Sequence, residues 1–341
     1  MSDPAGGIRA SVIVLGYNGR RYLDAAISSL LDQDMPADQF EVIYVDNDSA
    51  DGSADHVAEH FPHVRVLRLK ENLGFYGAFD LAATNAAGVY LIAVPQDVVA
   101  HRRWLPELLR VADQDERVLV AVTNTIAPGS PDYHPENRDA SVSECTWVGL
   151  SKLGYVRLER GPFTPAARQT LACAGCSALL RRDLVERSGC LFESRVGHYG
   201  GDFELGLRAS VVGGKVMQVP TAIIYHVGEE TKTPMDWRLL LRYAEGSRDQ
   251  VLVFYKNMTT AEFALFLPFM FLGLSAKATE LRMPPLVRLA LLCCAFALSP
   301  FVLLAALVRL PILRDARREM MTRRRVDGFW LLRAVLGGLS R

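Results

Sequence analysis

Ser11-Val12-Ile13-Val14-Leu15-Gly16-Tyr17-Asn18-Gly19 decides the fold. Ala10 to Leu15 is a run rich in β-branched residues, closed by Gly16. An apolar run without polar alternation predicts a strand buried on both faces, as in sheets covered by helices on either side. Outward from it, Tyr22 to Gln33 sets Leu23, Ala26, Ile27, Leu30 and Leu31 at helical spacing. Glu41 to Val45 repeats the strand pattern and ends in Asp46-Asn47-Asp48-Ser49, before the N-cap-rich Asp51-Gly52-Ser53-Ala54-Asp55. Val64–Leu69 reads as a third strand, Phe79–Ala87 as a helix and Val89–Val94 as a fourth strand.

Strands and helices alternating at this spacing predict βαβ units, an α/β fold and a mainly parallel sheet. Such sheets bind ligands beyond the carboxyl ends of their strands. Tyr17-Asn18, Asp46 and Asp97 all fall just past strand ends, although they lie far apart in the chain. From Ala127 to Pro165 the pattern loosens into loops and short strands. It returns from Cys173 to Val227, with a helix at Arg182–Ser188 and a strand at Lys215–Val219.

The 341 residues hold 38 Lys and Arg against 38 Asp and Glu, a net charge of zero that argues against a nucleic-acid partner. The start, MSDPAGGIRA, has no secretory-signal pattern. The six cysteines suit a reduced compartment, and the lone Cys173-x-x-Cys176 pair reads as buried small residues rather than a zinc site.

Four separated segments resemble family-2 glycosyltransferases of the GT-A fold, in the rhamnosyltransferase-like branch. They are Ser11–Gly19 with Tyr22-Leu23; Val45-Asp46-Asn47-Asp48-Ser49-Ala50-Asp51-Gly52-Ser53; Asn72-Leu73-Gly74-Phe75; and Gly201-Asp202-Phe203-Glu204-Leu205-Gly206-Leu207-Arg208 with Val219-Pro220 and His226. Their order and spacing match across about residues 10 to 256. The resemblance implies a Rossmann-like GT-A domain over 1–256 that transfers one sugar, with inversion, from a nucleoside diphosphate sugar. The donor it suggests is dTDP-rhamnose or a UDP-sugar, and the acceptor a lipid-linked or cell-envelope glycan. No Q-x-x-R-W motif occurs, which favours single-sugar addition.

Within this resemblance Tyr17 and Asn18 would meet the base and ribose. Asp46 would accept the imide N–H of uracil or thymine; read alone, it is an N-cap or Asx-turn residue. Asn72 and Gly74 belong to a turn whose glycine permits positive φ or close backbone approach to the donor. Asp97, with His226, would hold Mg²⁺ or Mn²⁺ on the diphosphate, although Val94-Pro95-Gln96-Asp97 lacks the usual carboxylate two residues before Asp97. Asp202 would be the base that takes the acceptor's proton, and is also placed to cap a helix. The Glu that normally precedes it is Gly201 here, while Glu204 and Arg208 remain to contact the acceptor or support the base.

Past Lys256 the composition turns apolar. Phe263–Ala276 is uncharged but short of a bilayer's roughly 30 Å core, whereas Leu289–Val308 is just long enough. Met283-Pro284-Pro285 breaks the helix between them. Six arginines follow between Arg314 and Arg325. A spanning or re-entrant hairpin over 257–313 would return this basic, amphipathic tail (314–341) to the cytoplasmic face of the membrane, against anionic lipid. Burial of the apolar helices in a homo-oligomer is the competing expectation. Two other functions stay open: a sugar nucleotidyltransferase, with Gly16, Gly19, Arg20 and Arg21 as a poor phosphate loop, and a non-catalytic membrane scaffold.

Overall fold

The computed structural model describes residues 7–153, 155–173, 177–197, 200–228, 237–276 and 285–337. A nine-stranded sheet organises the first 226 residues. Its N-terminal half is built as the sequence predicts: β1 (Ala10–Gly16), α1 (Arg20–Leu31), β2 (Phe40–Asp46), α2 (Ser53–His60), β3 (Arg65–Arg68), α3 (Gly74–Ala83) and β4 (Tyr90–Pro95). β1 lies parallel to both β2 and β4, and β3 extends the sheet parallel to β2. α3 starts five residues earlier than its apolar spacing suggests, because the turn ending at Gly74 opens it.

The middle of the chain adds β5 (Val98–Ala100), α4 (Trp104–Gln114) and β6 (Val118–Ile126). The β7–β8 hairpin (Glu144–Leu150, Val156–Pro162) and short β9 (Arg168–Thr170) follow. β10 (Ala178–Arg181) then enters between β4 and β6, antiparallel to both. A parallel strand needs a crossover, usually a helix; the chain leaving β6 makes a hairpin instead and re-enters from the end at which it left. After α5 (Leu184–Ser188) and α6 (Gly201–Val211), the long β11 (Lys215–His226) runs parallel to β6 and antiparallel to β5 and β9. The sheet is therefore parallel along β3-β2-β1-β4 and mixed beyond it.

The strands bury both faces. Val12 and Val14 pack with Leu23, Ile27 and Leu30 of α1 and Leu105 and Leu108 of α4. Ile13 and Leu15 face the other way, into a core with Phe79 of α3, Leu205 of α6 and Phe254 of α7 (Trp237–Asn257). Each such buried aliphatic or aromatic side chain contributes roughly 1.5–3 kcal/mol, so the unbroken apolar run in β1 is matched by two separate cores.

The C-terminal helices share the second core. α8 (Thr260–Ala276), α9 (Pro285–Arg309), α10 (Arg314–Arg323) and α11 (Trp330–Gly337) contribute Phe266, Met270, Ala306, Met320, Leu331, Ala334 and Val335 to it. Among the described residues no helix is long and apolar enough to cross a membrane. α9 commits Ser299, Val302 and Ala306 to the protein interior, which leaves a stripe rather than a whole circumference for any other solvent. α11, expected in a membrane interface, instead buries its apolar face on the core. Three of the six tail arginines are engaged with the body of the protein. Arg324 pairs with buried Glu262 at 3.0 Å, Arg317 lies over the Tyr255 ring at 4.5 Å, and Arg323 bonds Glu319 and the Glu186 carbonyl.

Candidate active site

The register brings three strand ends level: Gly16 opposes Asp46, and Leu15 opposes Pro95. Tyr17-Asn18, Asp46-Asn47 and Gln96-Asp97 therefore share one rim, at the place where the order reverses about β1. Tyr17 is half-exposed there, and its carbonyl accepts a hydrogen bond from Gln96 Nε2 at 2.9 Å. Gln96 lies so close over Gly19 that a Cβ there would overlap its amide. Asn18 sits at φ 48°, a left-handed conformation that asparagine tolerates. Its amide N–H donates to Ser49 Oγ (3.0 Å) and its Oδ1 accepts from Ala50 N (2.8 Å), so its side chain ties two rim loops together.

Asp46 is buried at the end of β2. Its Oδ2 accepts the Ser49 amide, three residues on, at 3.3 Å, but its Oδ1 is buried with no partner among the described residues. A buried acceptor without a donor is costly; an N–H supplied by a ligand would satisfy it.

Asn47, which motif reading passes over, organises the neighbouring turn. Its Oδ1 accepts from Leu73 N (2.9 Å), and its Nδ2 donates to Asn72 Oδ1 (2.9 Å) and the Gly74 carbonyl (3.3 Å). Asn72 Oδ1 also accepts from Gly74 N, and Gly74 adopts φ 70°. Asn72 and Gly74 thus shape the entry to α3, next to Asp46.

Asp97 follows β4, and His226 ends β11. The β5–β11 pairing brings them together, with His226 Nε2 3.4 Å from Asp97 Oδ2 and the Val227 amide on the Asp97 carbonyl. Among the described residues no third His, Cys, Asp or Glu joins them. One carboxylate and one imidazole suit a Mn²⁺-like cation that takes its other ligands from phosphate and water.

Asp202 lies in the first turn of α6. Burial pushes its carboxyl up to about 7, against a 3.4 Å hydrogen bond from the Tyr76 hydroxyl that lowers it. Glu204 and Arg208, one helical turn apart, are both 0 % exposed and paired at 2.9 Å. Arg208 also donates to Ser188 Oγ and the Cys190 and Leu191 carbonyls, while Glu204 accepts from Lys256 of α7 at 2.7 Å. Burial alone would raise Glu204, but Arg208 and Lys256 hold it at about 2. These bonds tie α6 to α7 and to the segment after α5. Cys173 is buried, and Cys176 lies outside the described residues.

A rim of polar groups on a Rossmann-like sheet, an Asp–His pair and a half-buried carboxylate make up the candidate site, on a sheet of GT-A type. The glycosyl transferase family 2 profile matches residues 11–189, and the chain belongs to that family. It is similar to N-acetylgalactosaminyltransferase 6 of Drosophila melanogaster, 27% identical over 228 residues, which are 64% of this chain and 34% of that protein. Poly(ribitol-phosphate) beta-N-acetylglucosaminyltransferase TarS of Staphylococcus aureus is 29% identical over 110 residues, 31% of this chain and 19% of TarS. The chain therefore spans about a third or less of the length of these curated relatives. Among solved structures, GalNAc-T7 with UDP, GalNAc and Mn²⁺ superposes with a TM-score of 0.59 at 17% identity, covering 83% of this chain and 52% of that one. S. aureus TarS 1–349 with UDP gives 0.53 at 17% identity over 97% and 90%. Likeness at that identity shows the fold.

Proposed function

We propose that the protein transfers one sugar, with inversion, from a nucleoside diphosphate sugar to a hydroxyl of a lipid-linked or cell-envelope glycan. The observation that carries this is a pair of carboxylates in unusual surroundings, one at a strand end and one at a helix start. Asp46 has a buried oxygen in need of an N–H donor, and Asp202 has a proton affinity suited to general-base work near neutral pH. Asp46 would take the imide N–H of uracil or thymine while Tyr17 covers the base. UDP in the GalNAc-T7 and TarS structures supports a uridine nucleotide, and a dTDP-sugar such as dTDP-rhamnose has the same imide edge. Asn72 and Gly74, held by Asn47, would close the turn over the donor.

Asp202 takes the proton of the acceptor hydroxyl as its oxygen attacks the anomeric carbon from the face opposite the diphosphate. The new glycosidic bond forms as the sugar–diphosphate bond breaks. A divalent cation, Mg²⁺ or Mn²⁺, would be held by Asp97 and His226 and would offset negative charge on the leaving diphosphate.

Attachment to the cytoplasmic face of a membrane is part of this reading. Phe301 (70 % exposed), Leu304 and Val308 (71 % exposed) recur at helical spacing as an outward apolar stripe on α9, and Leu265 and Phe269, one turn apart on α8, are exposed as well. Ile312 and the arginines Arg309, Arg314 and Arg318, which follow in the chain, are also exposed. Apolar residues flanked by arginines suit a helix pair lying in an anionic interface.

The test is release of nucleoside diphosphate from a panel of UDP-, dTDP- and GDP-sugars with a lipid-extract acceptor. Asp202→Asn should abolish release while the protein stays folded; undiminished turnover removes the assigned base. Stabilisation by nucleoside triphosphates but not by diphosphate sugars would favour a nucleotidyltransferase, and no donor binding at all a scaffold. Flotation with phosphatidylglycerol vesicles, lost in Phe301→Asp/Val308→Asp, tests attachment. Dimerisation lost in the same variant, without flotation of the native protein, would assign the stripe to a second copy.

A further inference from the structure

Gly201 opens α6 immediately before Asp202, and Tyr76 of α3 crosses to meet that helix start. A methyl group at position 201 would overlap the ring and hydroxyl of Tyr76. The ring is held from behind by Phe192, stacked at 4.8 Å between centroids and 30° between planes, and by the edge of Phe75 at 5.6 Å. Its hydroxyl donates to Asp202 Oδ1 at 3.4 Å and accepts the backbone N–H of the same residue. The backbone bond fixes the hydroxyl of a ring wedged between aromatics, and that hydroxyl presents its proton to one oxygen of the carboxylate. The side chain that position 201 lacks is thus replaced in space by one from a different helix.

We propose that Tyr76 is a positioning residue that orients the Asp202 carboxylate for the acceptor hydroxyl, and that position 201 is glycine because the Tyr76 ring occupies its side-chain space. This rests on Asp202 as the base. Tyr76 lies in the first turn of α3, two residues after Gly74, so the turn beside the rim and the hydroxyl that meets Asp202 belong to the same helix start. Among the described residues, Tyr76 from α3 and Cys173 from the segment before β10 are the titratable groups that face Asp202. Burial raises the Cys173 thiol well above its usual range and keeps it neutral. The Tyr76 hydroxyl is therefore the group that stabilises the ionised Asp202. Removing it raises the proton affinity of a carboxyl that already titrates at about 7.

The experiment is a ¹³Cγ titration of aspartate-labelled full-length protein, with the Asp202 resonance identified by its loss in Asp202→Asn. Tyr76→Phe keeps the ring and should move the midpoint up by about half a pH unit or more. With the accepted UDP- or dTDP-sugar, its kcat at pH 7 should fall about twofold or more and recover at higher pH, with donor KM unchanged. Gly201→Ala should shift the midpoint in the same direction when Tyr76 is present and add nothing in Tyr76→Ala. A midpoint unmoved in Tyr76→Phe, with thermal unfolding showing a folded protein, overturns the proposal. So does an equal effect of Gly201→Ala in both backgrounds; if that variant does not fold, Tyr76→Phe decides. An active Asp202→Asn refutes the base assignment itself, whereas an inactive one with an unmoved Tyr76→Phe titration refutes only the positioning role.

Discussion

Replacing Asp202 by Asn should stabilise the protein above neutral pH while removing its chemistry. The carboxyl is raised from 3.8 to about 7, chiefly by burial. A raised folded-state value means that the favourable contribution belongs to the protonated form. It is complete below the unfolded value near 3.8 and is lost as pH rises through about 7. Three units at about 1.4 kcal/mol each set a ceiling of about 4 kcal/mol, of which about 2–3 kcal/mol falls between pH 5 and pH 8. Water reaches part of the side chain, and screening brings the expected loss to about 1 kcal/mol. Asn retains the volume and a partner for Tyr76 without the charge. Urea unfolding followed by tryptophan fluorescence at pH 5 and pH 8 reads this directly. The native protein should lose about 1 kcal/mol more than Asp202→Asn on going from pH 5 to pH 8. An equal pH response in the two proteins would show that Asp202 ionises as freely folded as unfolded, and the argument for a tuned base would fall.

Asp46→Asn should weaken UDP or dTDP binding by about 10-fold or more in calorimetry, since a hydrogen bond to a charged group is worth about 1.5–3 kcal/mol, with little change in melting temperature. Gly74→Ala meets no atom within 4 Å but must adopt φ 70°, so it should cost about 1 kcal/mol in urea unfolding. Arg324→Ala leaves a Glu262 that is 0 % exposed with only the Thr259 and Leu332 amides among the described residues and should cost about 2–3 kcal/mol, whereas the double variant Arg324→Met/Glu262→Gln should cost less. Chelation by EDTA should weaken diphosphate-sugar binding, and Asp97→Ala/His226→Ala should bind equally weakly with and without Mn²⁺.

Much of the sheet was legible because β1, β2 and β4 carry apolar runs that only a two-faced burial explains. The antiparallel β10 was not, because nothing in Ala178–Arg181 differs from a parallel strand; its direction comes from the hairpin before it. The Asp97–His226 meeting depends on β5 pairing with the end of β11, a contact between residues 129 positions apart that no local pattern carries. Asn47 stood inside a recognised segment, yet its role follows from the shape of the Asn72–Gly74 turn rather than from its own neighbours. Tyr76 is hidden more deeply: only the absence of a side chain at Gly201 hints that another must fill that space. The C-terminal arginines show the opposite failure, since a charge run reads as a surface whether or not its members are paired.

The buried bridge from Glu204 to Lys256 has a mechanical consequence. It moors the helix carrying Asp202 to the last turn of α7, and α8 begins three residues after α7 ends. The proposed base and the exposed apolar residues of α8 are therefore linked through α7 by a buried ion pair and a two-residue connection. Under the proposed membrane attachment, that connection would set the height of Asp202 above the lipid, and acceptors would be sorted by how far their hydroxyl stands from the membrane.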